Sequence, residues 1–148
     1  MDILKVQVLR PGAKLPRRAT AGSAGYDLHA CLEAPVLVEP GDTVKIPTGL
    51  AIDLGTPGRA AFVFARSGLA INHGIVPANC VGVIDSDYRG EIIVGLINQS
   101  GSPYTIRPGD RVAQMVLLPV LTPELQLCGS LKDTQRGDGG FGSTGVNG

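Results

Sequence analysis

An all-β barrel or sandwich with one short helix and a mobile glycine-rich tail is the fold the sequence predicts, on three observations. Short segments of alternating apolar residues recur along most of the chain. Turn-forming residues separate them. The 21 glycines and 11 prolines, about 22% of 148 residues against roughly 12% in average usage, interrupt nearly every window long enough for a helix. The length suits one domain with a substantial core. Apolar residues make up 43% but aromatic residues only 4%, with no Trp, so that core must be built from Val, Ile, Leu and Ala.

In residues 3–9, Leu4, Val6 and Val8 alternate with Lys5 and Gln7, the period-two pattern of a half-buried strand. Further strands are expected over 36–39, 43–47, 50–54 and 60–64, then 82–85, 91–98, 104–106, 111–120 and 124–128. Two intervening turns share the core Pro40-Gly41-Asp42 and Pro108-Gly109-Asp110, although their flanks do not match well enough to make a repeat. Strands so spaced and punctuated form barrels and sandwiches. One helix is expected over 66–72, with Ser67 as its N-cap and Gly74 as its end. Residues 129–148 hold seven glycines and only Leu131, Phe141 and Val146 as large apolar groups. Residues 1–128 therefore form the folded domain and 129–148 an arm that is mobile when free.

Thirteen basic and thirteen acidic side chains cancel. That balance excludes a polybasic nucleic-acid or membrane-surface binder but permits a local cationic pocket. Cys31, Cys80 and Cys128 are odd in number and lack CxxC pairing, which points to free thiols in a reducing compartment. No signal-like stretch or apolar run near the roughly 18 residues of a membrane span is present. A soluble, cytoplasmic protein is expected.

Three short motifs carry candidate chemistry. Gly137-x-Gly139-x-x-Gly142 matches GxGxxG, yet only six residues follow, too few for the helix of a dinucleotide fold. With Arg136 and Phe141 inside it, the segment offers backbone N–H groups, one cation and one aromatic face, a set suited to a phosphorylated ligand that bears a base. Asp85-Ser86-Asp87-Tyr88-Arg89-Gly90 lacks the later ligands of a calcium loop. It reads as a polar hairpin turn between residues 81–84 and 91–97 or, functionally, as a strand end presenting a general base. Arg66-Ser67-Gly68 at a helix start is a modest anion-site signal. His29 and His73 stand apart from any Cys at ligand spacing, so zinc is not expected, and no Walker A loop is present.

Order turns these weak signals into a strong one. Ala24-Gly25-Tyr26-Asp27-Leu28, Ala65-Arg66-Ser67-Gly68-Leu69-Ala70, the segment from Gly82 to Gly90, Arg107-Pro108-Gly109-Asp110-Arg111-Val112-Ala113-Gln114-Met115 and the segment from Arg136 to Gly145 follow one another along the chain. They closely resemble the five ordered motifs of the trimeric deoxyuridine triphosphatases (dUTPases), over residues 15–145.

The resemblance implies a jelly-roll-like, distorted β-barrel subunit and hydrolysis of dUTP to dUMP and pyrophosphate, which limits uracil in DNA and supplies dUMP for dTMP synthesis. It makes Asp85 the general base that activates a water against the α-phosphorus; an aspartate carboxylate is already in its base form near neutral pH. It assigns base reading to a hairpin from Asn79 to Ile93, with the Asn79 amide and backbone groups at Val83, Ile84 and Ile93, and places Tyr88 under the sugar. Arg66, Ser67, Gly68 and Gln114 would hold phosphates, and Arg136 would pair with the γ-phosphate. Phe141 would stack on uracil, while Gly142 and Ser143 close over the chain. Mg²⁺ would be held mainly by the triphosphate, with Asp27 reached through water. The implied assembly is a homotrimer with shared active sites, the arm acting as a lid.

Ala65 stands where many relatives have Pro. Cys80, beside Asn79, is expected to be a buried, inert thiol. Two other readings compete. A dCTP deaminase would use a Glu base, and a non-catalytic nucleotide-binding trimer would not need the intact set of reacting groups.

Overall fold

The computed structural model describes residues 3–140. Among the described residues the chain forms β1 (Lys5–Val8), β2 (Tyr26–His29), β3 (Val36–Val38), β4 (Thr43–Pro47), β5 (Leu50–Asp53) and β6 (Arg59–Phe64), then the helix α1 (Ser67–His73). β7 (Ile75–Pro77), β8 (Gly82–Ile84), β9 (Ile93–Asn98), β10 (Tyr104–Ile106) and β11 (Arg111–Pro119) follow. No described helix is long and apolar enough to cross a membrane.

The strands pair antiparallel in four small sheets: β1-β5, β10-β3, β2-β11-β6-β8 and β4-β9-β7. Antiparallel strands solvated on one face bury every second residue. In β9 that set is Val94, Leu96 and Asn98. One shared core fills the space between the sheets, with Leu28, Val38, Ile46, Leu96, Ile106 and Met115 fully buried. In keeping with the composition, no aromatic ring among the described residues is fully buried.

The two Pro-Gly-Asp segments make the same turn. The Asp42 N–H donates to Glu39 O at 3.0 Å and the Asp110 N–H to Arg107 O at 3.1 Å. The third turn residues, Gly41 and Gly109, have φ of 85° and 82°, the type II geometry that Pro at the second position and Gly at the third specify.

Four sequence expectations need correction. Arg66, not Ser67, is the N-cap residue of α1, in extended conformation and without a capping side-chain bond; Gly74 does end the helix. Segments 25–30 and 74–78 contain β2 and β7, which the alternation did not signal. Residues 124–128 form no strand and lie exposed, because their alternating leucines find no partner strand among the described residues. Finally, residues 85–92 are not a hairpin turn: β8 pairs with β6, whereas β9 pairs with β4 and β7. The segment instead crosses from one sheet to another and opens a cavity where the two diverge.

Candidate active site

That cavity, about 260 Å³, is lined by Asn79, Val83, Ile84, Asp85, Tyr88 and Ile93 together with Val63, Glu91, Ile92 and Val94. Asp85 follows β8 and is exposed. Its carbonyl accepts the Tyr88 N–H at 3.2 Å, closing a tight turn. Tyr88 folds back over Gly90, and its hydroxyl donates to Glu91 O at 3.1 Å. The Glu91 carboxylate is tied to Arg10 at 2.7 Å and to the Gly49 N–H at 2.9 Å. Among the described residues no cation pairs with Asp85.

Asn79 sits in the turn after β7. The next residue, Cys80, has a φ of 63° and is exposed, in contrast to the expected buried thiol. The turn is closed by the Cys80 N–H to Pro77 O, and that left-handed backbone leaves the sulfur outside the core.

A second cleft, about 380 Å³, is lined by Gly25, Asp27, Phe64, Arg66, Ser67, Gly68, Arg111 and Gln114. Asp27 on β2 is its electrostatic centre. Arg66 Nε donates to one carboxylate oxygen at 2.9 Å and Arg111 Nη1 to the other at 3.1 Å. Two guanidiniums on one carboxylate leave a net positive cleft whose cations are held in place before any anion arrives. Gln114 pairs with Asp27 across the sheet and donates to Ala65 O at 2.9 Å.

A bulge builds this cleft. Between Arg111 and Ala113 the register of β11 against β2 shifts, so Val112 and Ala113 are both buried. In a regular strand, positions three apart point to opposite faces. The extra residue lets both Arg111 and Gln114 reach the cleft. Arg111 is a residue of the cleft that spacing alone did not single out.

Asp27 also bears on any metal. Among the described residues no group of three or more His, Cys, Asp or Glu side chains could hold an ion, and both Asp27 oxygens already accept from arginines. The donor set fits an outer contact through water.

Beside the cleft, His29 is opposite Arg111 in register, and its Nδ1 is buried without a partner among the described residues. Arg136 lies in the exposed segment beyond β11, where its Nε donates to Gly139 O at 2.9 Å. Phe141, Gly142 and Ser143 fall outside the described residues.

The structure thus sorts the candidates into two groups, with β6 as the wall between them. Val63 lines the Asp85 cavity and the next residue, Phe64, lines the arginine cleft. Successive strand residues face opposite sides.

The sequence profile described as dUTPase matches residues 12–145. A deoxyuridine 5'-triphosphate nucleotidohydrolase of Desulfitobacterium hafniense (strain DSM 10664 / DCB-2) is 60% identical over 134 residues, which cover 90% of this chain and 89% of that one. One from Burkholderia thailandensis is 49% identical over 142 residues, 96% of each chain. A mutant dUTPase of Staphylococcus bacteriophage 80alpha with dUpNHpp has the same fold, at a TM-score of 0.90 and 26% identity over 99% of this chain and 100% of that one. A mutant dUTPase from phage phi11 of S. aureus, described for its coordination of a structural Mg(II) ion, matches at a TM-score of 0.78 and 26% identity over 87% of this chain and 98% of that one. Together with four of the five motifs placed around two clefts, these matches show that the chain belongs to the dUTPase family, the dUTP diphosphatases.

Proposed function

We propose that the chain hydrolyses dUTP to dUMP and pyrophosphate with Asp85 as general base, in a homotrimer whose active sites are shared between copies. The observation that supports it most is convergence: Asn79, Ile84, Asp85, Tyr88 and Ile93 come from two sheets and meet in one cavity. The Asn79 amide offers an acceptor and donors to a uracil edge, joined by backbone groups at Val83, Ile84 and Ile93. Tyr88 forms a floor for the deoxyribose. Asp85 takes a proton from a water whose oxygen bonds to the α-phosphorus. The bond from that phosphorus to the bridging oxygen breaks, and pyrophosphate leaves with the electron pair.

The phosphates need cations, and the Asp85 cavity is lined by carboxylates but no Lys or Arg. Arg66, Ser67, Gly68 and Gln114 supply the phosphate contacts from the second cleft, which faces away across β6. A second copy brings that cleft to the cavity. Leu121, Leu125, Leu127 and Leu131, each at least 86% exposed, form apolar surface for an assembly to cover. Residues 129–148 act as the closing arm: Arg136 pairs with the γ-phosphate, Phe141 stacks on uracil, and Gly142 and Ser143 close over the chain.

The family implies a metal-dependent enzyme. Mg²⁺ carried by the triphosphate, with Asp27 touching its water shell, would neutralise phosphate charge. The three free cysteines suit the cytoplasm.

Pyrophosphate release with Mg²⁺ from each nucleoside triphosphate tests the reading: selective cleavage of dUTP supports it, and ammonia release from dCTP or no turnover overturns it. Asp85→Asn should lose turnover by about 10²–10⁴-fold yet bind dUTP. Subunit sharing is tested by refolding Asp85→Asn together with Arg66→Ala. Random mixing should return about a quarter of the sites to full composition in a symmetric oligomer, whereas a site contained in one chain recovers nothing.

A further inference from the structure

We propose that Arg89, anchored by Asp53, is a positioning residue for the reaction, fixing the turn that presents Asp85 and Tyr88. The proposal rests on the reading of Asp85 as base. Arg89 Nη1 donates to Ser86 O at 2.8 Å and to Tyr88 O at 3.0 Å, and Nη2 donates to Asp53 Oδ1 at 2.8 Å. One guanidinium thus joins two carbonyls of the turn to the last residue of β5. Asp53 is itself oriented, because its Oδ1 also accepts the Gly55 N–H at 2.9 Å and its Oδ2 lies 3.9 Å from Lys5 Nζ.

The turn needs an external anchor. It joins β8 to β9, which are not paired with each other, so no ladder between those strands holds it. The exposed Asp85 carboxylate meets no cation among the described residues, and its direction follows the backbone. Arg89 fastens that backbone to the β1-β5 sheet, which carries none of the residues proposed to touch substrate. The pair is no great source of stability. Its side chains are 53% and 32% exposed, and ion pairs of that kind contribute little. Its value is geometric, since misplacing a catalytic group by about 1 Å can cost about 10²-fold in rate.

The two accounts separate in kinetics. Full-length Asp53→Ala, Arg89→Ala, Arg89→Lys and the double variant Asp53→Ala/Arg89→Ala are assayed on dUTP beside Asp85→Asn. The proposal expects kcat to fall about tenfold in Asp53→Ala and up to about 10²-fold in Arg89→Ala, with KM changed less than about threefold. The double variant should be no slower than Arg89→Ala, because both act through one contact. Arg89→Lys should recover part of the rate, and millimolar guanidinium should raise kcat of Arg89→Ala but not of the wild type.

Wild-type kcat in folded Asp53→Ala overturns the proposal, even if Arg89→Ala fails to fold. So do additive losses, or an Arg89→Ala rate that guanidinium leaves unchanged. An active Asp85→Asn removes the underlying base assignment. An inactive Asp85→Asn beside fully active Asp53→Ala and Arg89→Ala removes only the positioning role.

Discussion

Adding one methyl group at Gly90 separates the stability of the fold from the geometry of the proposed sugar site. An ideal Cβ there would stand 2.5 Å from Tyr88 Cζ and 3.0 Å from Cε2, with the phenolic oxygen closer still. Carbon atoms pack at about 3.5–4.0 Å, so the ring must retreat by about 1 Å or more. Tyr88 is 46% exposed and turns about its own side-chain bonds, so the ring gives way before the backbone does. The move breaks the hydroxyl bond to Glu91 O, worth about 0.5–1.5 kcal/mol net. Replacing Gly returns about 0.4–1 kcal/mol through the unfolded chain. Stability should therefore change by less than about 1 kcal/mol, a Tm shift of at most about 4 °C at this size. Catalysis should suffer far more. With the sugar floor displaced, kcat/KM for dUTP should fall by about tenfold to 10²-fold, and the preference for dUTP over UTP should shrink as room opens for a 2'-hydroxyl. Thermal melts and pyrophosphate release from both nucleotides measure these effects. A stable Gly90→Ala protein with an unchanged dUTP/UTP ratio would refute the role given to Tyr88.

Removing residues 129–148 should reduce dUTP turnover by at least about 10²-fold while leaving the melting temperature of the barrel unchanged, since residues 129–138 lie exposed; full activity in the truncated protein would sink the lid. Burial, reinforced by Lys14 and then by Arg111 and Arg66 against the opposing Asp27, pushes the His29 imidazole below its usual 6.5. Below pH 6.5 the unfolded chain then binds more protons at this site than the folded one, so its contribution, complete above that pH, is lost as pH falls toward the folded value. Urea melts from pH 5 to 7.5 should show this slope in the wild type and a weaker one in His29→Gln. Buried Asn98 donates to Val38 O and Ser102 O and accepts from the Ser100 N–H and hydroxyl. Asn98→Leu should cost about 3 kcal/mol or more by stranding those partners, read as a lowered Tm with kcat retained in the folded fraction.

The strands that period-two patterning located are those whose own residues decide their burial. Segments 43–47 and 104–106 coincide with β4 and β10, each bounded by a turn that Pro and Gly enforce. β2 escaped for a reason tied to chemistry: two of its four residues, Asp27 and His29, are polar and border the cleft, and only Leu28 is fully buried. β7 is three residues long and ends in Pro77, too short for alternation to register. Leu125 and Leu127 alternate as a strand would, but a strand exists only in a pairing, and the partner is not among the described residues. The hairpin expected around Asp85 failed similarly. Adjacency in sequence suggested that β8 and β9 pair, whereas long-range pairing to β6, β4 and β7 was decided by the packing of the whole core.

The site was legible as a set of residues and illegible as an arrangement. The family resemblance pointed to Asp27, Arg66, Asn79, Asp85, Tyr88 and Gln114, because reacting and binding groups are drawn from a small chemical menu. It could not say that Asp85 and Arg66 open on opposite sides of β6, since that depends on a one-residue parity: Val63 inward to one cavity, Phe64 outward to the other. Nor could it show that Arg111 joins Arg66 on Asp27, because the bulge at Val112 reverses the parity that regular spacing predicts. Were β11 regular over these positions at the same length, Arg111 and Gln114, three apart, would face opposite sides and one of them would leave the arginine cleft. The bulge therefore matters to the cleft as much as the identity of the residues around it.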